Sequence, residues 1–213
     1  MNRLISWYLT VGGVLFFAGV ALHPHEHVEG GTLEEQFHAM FSDSRWYPAH
    51  VLLLAGMALM TAALVGLARR VPTGLPRRVT RFAAFAAVVG TAAMVLHLFA
   101  KLDDHNIVAG QATPLLVTHA GVETFTVPLV GIAFALLAFA GGRSHVLGNP
   151  AVATLGMVGG LGYALAGATA PFVATFRPLF DLVGLVGLWA AVVGGMQIRG
   201  GHTESTALHE VAR

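Results

Sequence analysis

The sequence "LISWYLTVGGVLFFAGVAL" occupies positions 4–22 and contains no charged residue. A helix of about 20 apolar residues is long enough to cross the hydrocarbon core of a bilayer. The next residues, "HPHEH" (23–27), are polar and carry three imidazoles. The stretch therefore predicts a membrane-spanning helix that leads into a histidine-rich loop. An apolar run behind a single arginine, Arg3, also fits a cleaved signal peptide, and this alternative stays open.

The rest of the chain has the same apolar character. Of its 213 residues, 55% are hydrophobic and 11% are charged, which is about half the charge of an average soluble domain. We expect an all-α polytopic membrane protein, with residues 1–198 forming a single six-helix transmembrane domain and residues 199–213 a short cytoplasmic tail. The six predicted spans are Leu4–Leu22, Ala49–Ala68, Phe82–Ala100, Leu115–Ala140, Ala151–Ala170 and Leu179–Ile198.

Arginine placement predicts how the bundle is oriented. The segment "ARRVPTGLPRRVTR" (68–81) holds five arginines and should be cytoplasmic by the positive-inside rule. With six spans, nine of the twelve basic residues then lie on that side, and both termini are cytoplasmic. We expect an integral protein of the bacterial plasma membrane with one longer outer loop (23–48). Within that loop, "TLEEQFHAMF" (32–41) predicts a short amphipathic helix.

Eight of the eleven histidines fall on the predicted outer side. Four of them lie at the outer ends of four consecutive spans: His23, His50, His97 and His119. Because successive helices alternate in direction, these four should lie at a similar depth. An ionisable group at membrane depth is costly unless it is paired or ligated, so the layer predicts a site. Neutral imidazole is the commonest metal ligand, which makes a metal centre the leading hypothesis.

Further ligands surround this layer. Glu123 lies one helical turn from His119, on the same face. The complete set of candidate metal ligands is His23, His25, His27, His38, His50, His97, His105, His119 and Glu123.

Two kinds of centre fit these ligands. One is a transition-metal ion (iron, copper or zinc) held by imidazoles and carboxylates, and the nearby acids favour it. The other is a b-type haem with two axial histidines, whose propionates would meet the outer cations Arg45, Lys101 and Arg177. The chain has no cysteine, which excludes disulfides, thiolate sites and iron–sulfur clusters.

Three function classes remain open. The first is a membrane oxidoreductase acting on a lipid-soluble substrate, such as a quinone, or on a periplasmic one, with Glu123, Asp181 and Lys101 as candidate catalytic groups. The second is a divalent-metal transporter or sensor with an outer capture loop, although the inner halves of the spans carry almost no ionisable groups. The third is a metal-free enzyme that acts on a lipid through Glu123 and Asp181. A structural or pH-responsive histidine layer is the simplest alternative to all three.

The last two spans are rich in glycine and alanine. Gly156 and Gly160 have the small-xxx-small spacing that allows helix backbones to approach closely. We interpret this spacing as ordinary helix packing within the bundle, and it also makes oligomerisation through these two helices possible. The formal net charge of +1 gives no indication of nucleic-acid binding.

Overall fold

A computed structural model describes residues 2–24, 33–105, 114–169 and 174–211, and these ranges are helical with short connections. The α-helices are α1 Arg3–Leu22, α2 Leu33–Ser42, α3 Trp46–Arg69, α4 Arg77–Leu98, α5 Pro114–Gly121, α6 Val127–Arg143, α7 Pro150–Thr169 and α8 Gly184–Val211. A 3₁₀ helix, Phe99–Asp103, extends α4, and another, Ala174–Val183, leads into α8. A π-helical turn, Val122–Thr126, connects α5 to α6.

The six predicted spans are confirmed as six helices long and apolar enough to cross a membrane. They are Arg3–Leu22, Trp46–Arg69, Arg77–Leu102, Thr124–Arg143, Pro150–Thr169 and Pro178–Gly200. The amphipathic helix expected in the first long loop is present as α2. Residues 199–211, expected as a short tail, continue the last helix to Val211.

The fourth span differs most from its prediction. A single helix was expected over Leu115–Ala140, but the α-helical hydrogen bonding is interrupted by the π turn, and α6 begins only at Val127. Pro128 explains this, because proline lacks a backbone N–H and its ring clashes with the carbonyl four residues earlier. In the first turn of α6 that missing N–H costs little. The sequence therefore starts a new helix within the predicted span.

The six spans form a closed ring in chain order. Each contacts the next, and α8 returns to pack against α1. The backbones approach closely at three glycine pairs: Gly12 with Gly56, Gly13 with Gly187, and Gly131 with Gly160. Gly156 packs against Ala138 and Trp189. Gly156 and Gly160 are thus used in packing within the bundle, as we had interpreted their spacing.

The two ends of the bundle differ in chemistry. We call the end that carries His23, His50 and His97 the histidine end, and the end with the loop 70–76 between α3 and α4 the arginine end. The main apolar core lies between them and includes the fully buried Trp189. A second, smaller apolar cluster lies at the histidine end and is formed by Phe37, Phe41, Trp46 and Ala100. Outward-facing apolar side chains on the helices, such as Val11, Val14 and Phe85, supply the surface that contacts lipid.

Candidate metal centre

Three of the predicted ligands come together at the histidine end. His23 follows the last residue of α1, His50 lies in the first turns of α3, and His97 lies in the last turn of α4. One ring nitrogen from each lies within 4.8 Å of the others, and these three residues form the group with metal-site geometry among the described residues. We call them the histidine cluster. Their ring centroids are 4.9 Å apart for His23 and His50, and 4.9 Å apart for His50 and His97.

Hydrogen bonds orient two of these rings. Nδ1–H of His50 donates to the backbone carbonyl of Trp46 at 2.7 Å. Nδ1–H of His23 donates to the carbonyl of Pro24 at 3.0 Å. A carbonyl only accepts, so Nδ1 must carry the proton, and the neutral rings hold their lone pairs on Nε2. Metal-ligating histidines commonly have this arrangement, in which a backbone acceptor holds the tautomer.

Burial differs within the cluster. His50 is 0% exposed, whereas His23 and His97 are half-buried. The ring of His50 is therefore shielded from solvent. A neutral ring is the form that binds a metal.

Trp46 contacts all three histidines. Its indole stacks on His50 with the ring centroids 3.8 Å apart and an angle of 29° between the planes. Its centroid lies 5.4 Å from that of His97 and 6.1 Å from that of His23. The indole Nε1–H donates to the carbonyl of Leu98 at 3.3 Å. Trp46 therefore connects α3, which carries His50, to the end of α4, which carries His97.

The helix α2 covers this tryptophan. Phe41 meets Trp46 edge to face, with centroids 4.7 Å apart, and Phe37 stacks on Phe41 at 5.8 Å. Phe41 and Trp46 are both 0% exposed. We call Phe37, Phe41 and Trp46 the aromatic cap. The amphipathic helix predicted from the sequence thus buries its apolar face on the histidine end of the bundle.

His38, another predicted ligand, lies in a separate contact on α2. Its Nδ1 pairs with Oδ1 of Asp104 at 2.6 Å, and Ser42 Oγ is 3.4 Å from the same nitrogen. A Ser–His–Asp triad needs the serine and the aspartate on opposite ring nitrogens. This arrangement is therefore not a hydrolase triad. Its clearest consequence is that it attaches α2 to the residues that follow α4.

The predicted haem-binding cations Arg45 and Lys101 interact with Asp43. Arg45 donates to the Asp43 carboxylate through its backbone N–H at 2.6 Å and its side-chain Nε at 3.0 Å. These bonds lower the pKa of Asp43 to about 2. Nζ of Lys101 donates to the Asp43 carbonyl at 3.0 Å and lies 5.4 Å from the centre of the Tyr47 ring. Both cations thus stabilise the turn between α2 and α3.

The remaining predicted site residues fall into three groups. His105 and Asp181 are described, and both are exposed. His25 and His27 lie outside the described residues. For three others the backbone is described but the side chain is not, so their participation stays a prediction: His119, Glu123 and Arg177.

Trp46 is the central residue that our sequence reasoning missed. It precedes His50 by four residues, which places both on one face of α3. The spacing could have indicated this role, but an ionisable side chain, the signal that marks the histidines, is absent from tryptophan.

No family model, curated protein or solved structure matches this chain.

Proposed function

We propose that this protein is an integral membrane metalloprotein that binds one transition-metal ion through His23, His50 and His97. The observation that carries the proposal is the convergence of three ring nitrogens, from the ends of three separate helices, to within 4.8 Å. Nitrogens bound tetrahedrally to one ion lie about 3.3 Å apart, since each metal–nitrogen bond is about 2.0 Å. Side-chain shifts of roughly 1 Å would close the cluster around an ion.

The donor set narrows the choice of metal. Imidazole ligands suit zinc, copper and iron, while calcium and magnesium prefer oxygen ligands. The chain has no cysteine, so thiolates cannot contribute. We expect zinc, copper or non-haem iron, with His119 and Glu123 as the candidates for a fourth ligand or a proton-transfer group.

A haem is less well supported than a single ion. Two histidines on opposite faces of a haem iron hold their ring centroids roughly 6 Å apart, with the macrocycle between them. Both ring pairs that include His50 are closer, at 4.9 Å, and the Trp46 indole already stacks on His50 at 3.8 Å. The cations proposed for the propionates, Arg45 and Lys101, interact instead with Asp43.

With copper or iron bound, redox chemistry at the extracytoplasmic end is the function we favour, because zinc has no redox chemistry. Three protein ligands leave a coordination position for a substrate, as in catalytic metal sites. A centre at the end of membrane helices is accessible to a lipid-soluble substrate such as a quinone, or to a periplasmic one. Arginine placement supports an outward-facing histidine end. Self-association through the Gly/Ala-rich helices α7 and α8 remains a separate proposal.

Transport is the weaker alternative. An ion pathway needs polar or ionisable groups along the depth of the membrane. Within the six spans, every Asp, Glu, Lys, Arg and His lies within five residues of a span end. A metal sensor requires no such pathway, so this argument does not weigh against it.

Metal analysis of the detergent-purified full chain tests the proposal, with an affinity tag that contains no histidine. We expect about one equivalent of zinc, copper or iron, and no haem absorbance. H50A should lose the bound metal, because His50 is the most buried of the three ligands. H38A is the matched control, since His38 lies at the same end but pairs with Asp104, and it should retain the metal. Equal metal content in folded H50A and wild type would refute the site.

A further inference from the structure

We infer that Trp46 is a positioning residue, which sets the distance and orientation between the metal ligands His50 and His97. The inference rests on the proposed function, because it assigns the protein group that holds the metal ligands in place. Trp46 is fully buried and contacts the rings of both ligands.

The indole fixes the plane of the His50 ring. The two rings are stacked at 3.8 Å, so rotation of the imidazole about its side-chain bonds would collide with the indole. The Trp46 backbone carbonyl separately holds Nδ1–H of His50. The backbone bond selects the tautomer, and the side chain limits ring orientation. A substitution at position 46 removes only the second effect.

The same indole connects the two helices that supply the ligands. Its Nε1–H donates to the carbonyl of Leu98, the residue that follows His97. A backbone carbonyl oxygen has two lone pairs, so Leu98 can accept this bond without breaking the helix ladder. Since Trp46 belongs to α3 and Leu98 to α4, the bond restrains the separation of His50 from His97.

The two phenylalanines of the aromatic cap hold the indole itself. Phe41 packs edge to face against Trp46, and Phe37 stacks on Phe41. A buried aromatic side chain that is packed against other rings and hydrogen-bonded at its edge has little rotational freedom. Trp46 therefore restricts the rotation of the His50 and His97 side chains, which lie at helix ends.

Trp46 substitutions measured with Co²⁺ as the probe test the inference. W46A removes both the stacking and the N–H donor, and it should weaken Co²⁺ binding by about 10- to 100-fold, as lost supporting interactions do at metal sites. It should also change the ligand-field absorption of the bound Co²⁺, because the coordination geometry relaxes. W46F keeps a ring on His50 but loses the bond to Leu98, so we expect a smaller loss, about 10-fold.

Trp189 provides the matched control. It is equally buried, but it lies in the main core, where it meets Phe134 edge to face at 6.3 Å. W189A should lower the unfolding temperature and leave the Co²⁺ spectrum and affinity unchanged. A role for Trp46 in packing alone would make the two alanine variants behave alike. Equal spectral changes in both would therefore overturn the inference.

The remaining outcomes separate this inference from the proposed function. Wild-type affinity and spectra in both W46A and W46F would overturn the role of Trp46 and leave the metal site intact. If W46A does not fold, W46F decides, and wild-type affinity in that variant overturns the inference. Failure of the wild-type protein to bind Co²⁺ would count against the metal site itself.

Discussion

The middle of the bundle and its histidine end are built in opposite ways. In the middle, the helices are regular and approach at glycines, such as Gly13 with Gly187, so that backbone meets backbone. At the histidine end, regular helix gives way to 3₁₀ and π segments, and aromatic and imidazole side chains fill the space. Close backbone contact leaves no space for a bound ion or substrate, but it makes the helix bundle rigid. Side-chain packing at the helix ends instead brings three imidazoles close together.

This comparison implies that fold stability and metal binding are separable. Substitutions at the glycine crossings should affect folding. Substitutions at the histidine end should affect the ion and leave the bundle assembled.

The largest effect should come from G13A. A Cβ at this position would overlap the carbonyl oxygen of Gly187 and the backbone nitrogen of Ala191, and neither can move without separating α1 from α8. We expect a loss of about 3 kcal/mol or more in the free energy of unfolding, or no folded protein at all. Size-exclusion chromatography of heated detergent samples measures the temperature at which the folded protein is lost.

Gly195 is the control for this substitution, since a Cβ there meets nothing within 4 Å. G195A should remain within about 1 kcal/mol of wild type. If G13A and G195A were equally stable, the glycine crossings would not be what holds the bundle together.

An intermediate effect should come from the ion. A ligand that binds only the folded state stabilises it by about 2.7 kcal/mol at a concentration 100 times its Kd. Zn²⁺ should therefore raise the unfolding temperature of wild-type protein, and a chelator should reverse the rise. H50A should show no such rise, while G195A should show the full one. A Zn²⁺-induced rise in H50A as large as in wild type would mean that the ion stabilises the protein from another place.

The sequence was sufficient for the spans and for part of the site. Apolar run length predicts all six spans, because length and hydropathy decide which helices can lie in lipid. It also predicts that His23, His50 and His97 lie at one level, since alternating helices bring those ends together. The shared level does not reveal which neighbouring helices are in contact, because hydropathy contains no information on packing partners.

The sequence was insufficient where side chains compete for partners. The spacing of His38 suits a ligand, yet Asp104 lies close enough to bind it, and a contact 66 residues away cannot be read from local spacing. Arg45 and Lys101, the predicted partners of haem propionates, both interact with Asp43, a contact that the sequence did not reveal. Trp46 was overlooked because an apolar aromatic residue in a hydrophobic span resembles ordinary core. Its role depends on tertiary contacts with His50 and His97.

The smallest effect should be the pH dependence of the turn that precedes α3. Hydrogen bonds from Arg45 lower the pKa of Asp43 from 3.8 to about 2, so the carboxylate favours the folded state above pH 3.8, and this contribution fades as the pH falls towards 2. The difference in unfolding temperature between wild type and D43N should thus stay constant from about pH 8 to 5 and shrink below about pH 4. The D43N substitution should have a smaller effect in an R45Q background, already at neutral pH, because Arg45 is the main cause of the shift in the Asp43 pKa. A difference that widens in acid would mean that the carboxylate is disfavoured in the folded protein, and the turn would then not be held by this pair.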